Sequence, residues 1–239
     1  MFEVQKHKIN LTNLLVKLYK DSEIAPTLGF KGGTACYFFY DLPRLSVDLD
    51  FDFINLSKFN DEKKDKIIRK IEDILVKDYE ILDSSKKLNT LFWLVSYEKG
   101  TRNIKIEIST RDYPNSYEYR NFYGTTINVL KIGDIIAHKL VAIQDRNTTA
   151  NRDIFDAQYF LRTKYMDDIN YEIIKYRTGL EKKEFLIGLL KFLEEYKSKS
   201  MVEGLGELVT NEQKDWIRSG AMVEDLKINL RILIGTFEG

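Results

Sequence analysis

The chain has 239 residues, 44% of them hydrophobic, which is enough to bury a core in one large domain or two small ones. Lysine plus arginine equals aspartate plus glutamate at 37 each, so the net charge is zero; the global basic field of an avid nucleic-acid binder is excluded and any such contact has to be local. One cysteine, Cys36, excludes an internal disulfide and fits a reducing cytosol, and with neither a signal-peptide layout after Met1 nor an apolar run of membrane-spanning length, a cytoplasmic protein without a membrane partner is expected.

Taken in order, Val4 to Lys20 has the spacing of an amphipathic helix, with Ile9, Leu11, Leu14, Leu15 and Leu18 forming its stripe. Asp21 to Pro26 breaks it. In Lys31-Gly32-Gly33-Thr34 the adjacent glycines allow a tight turn that presents N–H groups to an anion. A short helix from Thr34 to Tyr40 would aim its positive end at the same place, which makes Gly32, Gly33 and Thr34 a candidate phosphate seat.

Leu42-Pro43-Arg44 ends that helix, and from Ser46 the chain alternates. Asp48, Asp50 and Asp52 fall on one face of a strand, Val47, Leu49, Phe51 and Phe53 on the other. Carboxylates two residues apart on a strand lie roughly 6 to 7 Å apart at Cα, close enough to share one or two Mg²⁺ ions. The alternative is the wet face of an amphipathic sheet, which same-face repulsion disfavours. Spacing alone leaves two registers for a metal pair, Asp48/Asp50 and Asp50/Asp52.

A second helix is expected from Asp61 to Asp78, followed by strands at Tyr79–Leu82, Leu91–Tyr97 and Asn103–Thr110, with a hairpin turn near Glu98-Lys99-Gly100. In the last strand Lys105, Glu107 and Ser109 share a face, and Glu107 could simply pair with Lys105 or Arg111. Tyr113 to Gly124 reads as an aromatic loop whose rings could stack on a base or fold onto the core. A short strand, Thr126–Leu130, closes the sheet region.

From Lys131 onward the pattern is helical. The helix Ile132–Asp145 carries Lys139 away from its apolar stripe, with Arg146 two turns further along that side. After a link at Asn147–Ala150, a helix starting at Asn151 sets Asp153 and Asp156 one turn apart, with Arg152 able to pair with Asp156. Lys139 offers a point charge for a triphosphate, and Asp153 could orient it or act as a base; the alternative is a helix–helix salt-bridge cluster. Asp167–Arg177, Glu181–Lys199 and Glu212–Leu233 suggest a helical bundle, and His138 is read as structural.

The glycine pair joined to Asp-x-Asp resembles the nucleotidyltransferase fold of the DNA polymerase β superfamily. Within it, KGGTA…LPRLSVDLDF, HKLVAIQDR and NRDIFDAQYF resemble the AbiEii/AbiGii toxin family, the toxin halves of abortive-infection toxin–antitoxin pairs. The resemblance implies an α+β fold: a nucleotidyltransferase sheet with flanking helices over residues 1–130, then an all-helical domain over 131–239. It implies NTP as substrate and Mg²⁺ of the two-metal type, held by Asp48, Asp50 and a third acid, Glu107, in the setting Ile106-Glu107-Ile108. Catalytic roles fall to Asp48, Asp50, Glu107, Lys139 and Asp153, and nucleotide binding to Gly32, Gly33, Thr34, Lys139, Arg152 and Asp156. The wording Ser46-x-Asp48-x-Asp50-Phe51 favours the Asp48/Asp50 register.

An RNA acceptor, notably the tRNA acceptor end, and a cognate antitoxin are the implied partners. A local patch from Lys86, Lys87, Lys99, Arg102, Lys105, Arg111 and Arg120 could serve RNA, whereas zero net charge suits a protein or small-molecule acceptor. The alternative class is a non-catalytic nucleotide-binding module.

Overall fold

A computed structural model describes residues 3–145, 150–197 and 200–237. Arg146, the link at 147–149 and the last two residues of the helix expected to reach Lys199 lie outside the described residues. The chain divides into two compact units, one comprising residues up to Tyr40, Ser46–Asp112 and Ser116–Leu130, the other Asp41–Leu45, Tyr113–Asn115 and the chain from Lys131 on.

The first unit is built on a mixed seven-stranded sheet. Its elements in chain order are α1 (Val4–Lys20), β1 (Leu28–Lys31), α2 (Gly32–Phe39), β2 (Leu49–Phe53), α3 (Asp61–Leu75), β3 (Glu80–Lys87), β4 (Thr90–Ser96), β5 (Ile104–Ser109), β6 (Tyr117–Phe122) and β7 (Thr125–Leu130). The strand order is β3-β4-β5-β2-β1-β7-β6. β2 runs parallel to β5 and β1 parallel to β7, while the other neighbouring pairs are antiparallel.

The apolar face of β2 and the isoleucines of β5 are buried, as alternation dictates. Phe30 and Phe51 meet at 5.3 Å between ring centroids, and Leu11, Leu14, Leu15 and Leu18 of α1 are buried as well. Ile9, expected in that stripe, is 57% exposed and lies on the outer flank of the helix.

Two further expectations fail in this unit. Residues 117–122, read as loop, form β6, paired to β7 across a turn in which Tyr123 and Gly124 both have positive φ, 49° and 74°. That is a tight hairpin turn, and because β6 is an edge strand with little burial it carries no alternation to read. β3 likewise continues five residues past Leu82 as a polar edge strand.

The second unit is helical: α4 (Ile132–Asp145), α5 (Asn151–Leu161), α6 (Tyr171–Thr178), α7 (Lys182–Glu195), α8 (Asn211–Arg218) and α9 (Ala221–Gly235). Ile136, Leu140, Ile154, Phe160, Phe185, Leu189 and Leu226 are fully buried in it. The single helix expected over 212–233 is two, because Gly220 sits at φ +83°, a left-handed conformation that breaks the ladder. α8 starts from a capping box in which Thr210 and Gln213 satisfy each other's main-chain N–H groups.

Candidate active site

The residues singled out by sequence fall into one cluster in each unit. In the first, the parallel pairing of β2 with β5 sets Asp50 beside Glu107, and β1 sets Lys31 on the other side of Asp50. Asp48 precedes β2, yet its main chain is held from two directions. The buried His7 bonds through Nε2 to the Val47 carbonyl at 3.0 Å, and the buried Thr34 hydroxyl donates to the carbonyl of Asp48. The side chain of Thr34 therefore fixes Asp48, and only its main-chain N–H is left to face an anion.

Gly32 has φ +76°, and a Cβ there would lie 2.2 Å from Asp50 Oδ2. The glycine turn thus makes room for a carboxylate, while Gly32, Gly33 and Thr34 open α2 as its first three residues, whose N–H groups an α-helix leaves without intrahelical acceptors.

The aspartates of this strand differ in their partners. Asp52 is 3% exposed, ion-paired with Lys31, and accepts the Tyr117 hydroxyl at 2.8 Å. Tyr117 reaches it only because residue 29 is glycine: a Cβ at Gly29 would stand 2.1 Å from the Tyr117 ring. Asp52 is a satisfied internal charge. Asp48 and Asp50 are the pair grouped with Glu107.

Among these carboxylates stands Lys105, with Nζ 3.6 Å from Asp48 and 3.4 Å from Glu107. Burial and then the charge of Asp48, reinforced by Glu107, push the Asp50 carboxyl up to about 6, against the pull of Lys105 and Lys31. Burial works against the Lys105 charge, but Asp48, Glu107 and Asp50 more than reverse it and raise its pKa. An all-oxygen donor set with surplus negative charge fits a hard divalent cation. Among the described residues, however, no three His, Cys, Asp or Glu side chains converge as a ready-made metal site. The donor chemistry of Asp48, Asp50 and Glu107 suits such an ion, but the Lys105 ammonium now lies against both Asp48 and Glu107.

In the second unit Asp156 is wholly buried and accepts a two-pronged bond from Arg44, Nε at 2.5 Å and Nη2 at 2.7 Å, together with the Lys139 ammonium. Lys139, 8% exposed, also lies 3.8 Å from Asp153 Oδ1. Burial opposes ionisation of Asp156, but Arg44 and then Lys139 more than compensate and hold its carboxyl below the usual range. The pairing expected between Arg152 and Asp156 is replaced: Arg44 fills that place, and Arg152 Nε donates to the Gly204 carbonyl at 2.6 Å.

His138 bonds to Asn115 Oδ1 at 2.8 Å and to Arg177 at 3.1 Å. Sequence reasoning passed over His7, Lys105 as a neighbour of Asp48, and Arg44, which it used only as a helix stop. A signal existed for two of them: Lys105 shares the face of Glu107, and Arg44 stands four residues before Asp48.

A mixed sheet with the glycine turn and the acidic pair on adjacent strands is the nucleotidyltransferase fold. Two crystal structures share it: JHP933 from Helicobacter pylori (TM-score 0.65, 23% identity, covering 99% of this chain and 94% of that one) and a putative nucleotidyltransferase from H. pylori (TM-score 0.61, 21% identity, 99% and 96%). No curated protein matches the sequence significantly. Residues 13–219 match the family described as nucleotidyl transferase AbiEii toxin, type IV toxin–antitoxin system, and the chain belongs to that family. It is a nucleotidyltransferase, and membership implies an NTP substrate and a cognate antitoxin. No described helix is long and apolar enough to cross a membrane.

Proposed function

We propose that the chain is the toxin of an abortive-infection pair, acting in the cytoplasm, and that it transfers NMP from an NTP to an RNA hydroxyl, the tRNA acceptor end being the preferred target. The observation that carries the reading is the row Asp48, Asp50 and Glu107 beside the Gly32 turn. Asp48 and Asp50 would hold Mg²⁺, which when bound neutralises phosphate charge and favours in-line displacement at the α-phosphate with pyrophosphate leaving.

The N–H groups of Gly32, Gly33 and Thr34 bind phosphate oxygens, and the N-terminal dipole of α2 adds to their pull. Glu107 aligns the acceptor hydroxyl and takes its proton as the oxygen attacks. Lys139 supplies positive charge for the triphosphate, with Asp153 and Asp156 holding its ammonium; Arg152 is assigned to nucleotide binding with them. Thr34 and His7 keep Asp48 in register from behind.

The RNA acceptor draws support from the family more than from the surface. Of the basic residues gathered as a possible RNA patch, Lys105 stands among the carboxylates and Arg120 forks onto Glu118 at 2.9 and 2.6 Å. A protein acceptor is therefore the second reading.

Incubation of the purified protein with Mg²⁺, total bacterial RNA and each NTP labelled at the α-phosphate tests both. Label in a tRNA-sized band, absent from an Asp48→Ala/Asp50→Ala double variant, is the expected result. Label in protein transfers the reading to a protein acceptor, and NTP binding without any transfer sinks the catalytic proposal.

A further inference from the structure

Asp48, Asp50 and Glu107 share one face of the sheet with Lys105, and the Lys31–Asp52 pair lies on the same face. Lys31, the other nearby cation, is taken up by Asp52. Lys105 is placed among them by strand geometry. It lies two residues before Glu107 on the same face of β5, and β5 runs parallel to β2 with Asp50 opposite Glu107, so the position opposite Lys105 is that of Asp48. On its other side β4 sets Leu94 opposite Lys105 and Phe92 opposite Glu107, apolar neighbours suited to the lysine stem.

The ammonium contacts at 3.6 and 3.4 Å are longer than the 2.7 to 2.9 Å typical of tight charge-assisted bonds. It bridges two acids without being locked to either.

We propose that Lys105 is the built-in counter-cation of this cluster, competing with the divalent cation for Asp48 and Glu107, so that loading the ion displaces the Lys105 ammonium from the carboxylates. This rests on the reading of Asp48, Asp50 and Glu107 as a cation site. It assigns Lys105 a positioning role: without the ion it holds the like-charged acids together, and once displaced it frees Glu107 for the acceptor.

The test is Mn²⁺ titration followed by the electron paramagnetic resonance signal of the free ion, on the unaltered protein, Lys105→Met, Lys105→Arg and Asp50→Asn. Removing the competing charge in Lys105→Met should tighten Mn²⁺ binding roughly three- to thirtyfold, the range set by a unit charge at this separation in a partly screened site. Lys105→Arg should stay near the unaltered affinity, and Asp50→Asn should bind weakly.

A measurement without substitution accompanies it: amine-reactive labelling read by mass spectrometry should rise at Lys105 when Mn²⁺ is added, and should not when Asp50→Asn receives the same ion. Should Lys105→Met fold poorly without metal, Lys105→Gln and this labelling carry the test.

Unchanged or weaker Mn²⁺ binding in the neutral variants, with Asp50-dependent binding intact in the unaltered protein, overturns the Lys105 proposal and leaves the cation site standing. Absence of Asp50-dependent binding in every form overturns both.

Discussion

The two charged clusters of this protein are built from the same kinds of side chain and solve opposite problems. Around Asp156, two acids face two bases, with Arg44 gripping the carboxylate in a fork and Lys139 completing it, and all four side chains are nearly inaccessible. Around Asp50, three acids face Lys105, and part of the negative charge is left over. A balanced buried cluster has no surplus negative charge to draw in a cation, whereas an unbalanced, partly exposed one has an attraction for cations to spare. The position of the imbalance, more than the number of acids, marks where a cation would be drawn.

Breaking the balanced cluster should give the largest effect on stability. Asp156→Ala leaves Arg44 and Lys139 buried without their shared counter-ion and should cost about 3 to 5 kcal/mol, read as a large fall in melting temperature and in the denaturant midpoint. Because Asp156 has a depressed carboxyl pKa, its stabilising contribution is present above the ordinary carboxylate range and is lost as pH falls through the lower folded-state value. Acid melts of the unaltered protein should therefore decline more steeply than those of Asp156→Ala.

Gly32→Ala comes next and connects backbone to site. A methyl group at φ +76° is strained, and it would overlap Asp50 at 2.2 Å from Oδ2 and 2.8 Å from Cβ. A loss of roughly 1 to 3 kcal/mol is expected, together with weaker Mn²⁺ binding as the carboxylate is pushed aside. Normal Mn²⁺ affinity in this variant would show that the turn does not shape the acidic pair.

The smallest effect should have the opposite sign. Asp50 has its pKa raised to about 6, so in the metal-free protein the folded state holds its proton more tightly than the unfolded state. Its ionised form thus costs stability as pH rises from about 4 through 6. Asp50→Asn should stabilise the metal-free protein by on the order of 1 to 2 kcal/mol at neutral pH while abolishing transfer. In melts with chelator the difference should vanish near pH 4 and open as pH rises; a variant less stable than the unaltered protein at pH 8 would refute the charge imbalance.

Much of the first unit could be read in advance. The alternation of Val47 to Phe53 and of Ile104 to Ser109 placed both strands and their buried faces, since a side-chain period of two is the mark of a strand with one face packed on the core. The edge strand β6 could not be read, because its residues are exposed on a rim and carry no burial pattern. In the candidate site, local spacing put Asp48 and Asp50 on one face, and the family resemblance added Glu107. Local spacing also placed Lys139 one helix away from Asp156, but it gave the partner's place to Arg152, four residues from Asp156 in sequence, and not to Arg44, 112 residues away.

By itself the sequence determined what is local: a glycine turn before a short helix, an acidic strand of fixed alternation, a zero net charge, and family motifs enough to name the chemistry. Only the tertiary structure decided which neighbours each acid has. Asp48, Asp50 and Asp52 are equivalent in a period-two pattern, and the difference arises from side chains distant in sequence. Tyr117 reaches across Gly29 to occupy Asp52, His7 and Thr34 hold the chain at Asp48, and Lys105 stands beside Glu107. A charge's role is set by what neutralises it, and that neighbour is chosen by strand pairing and packing in space.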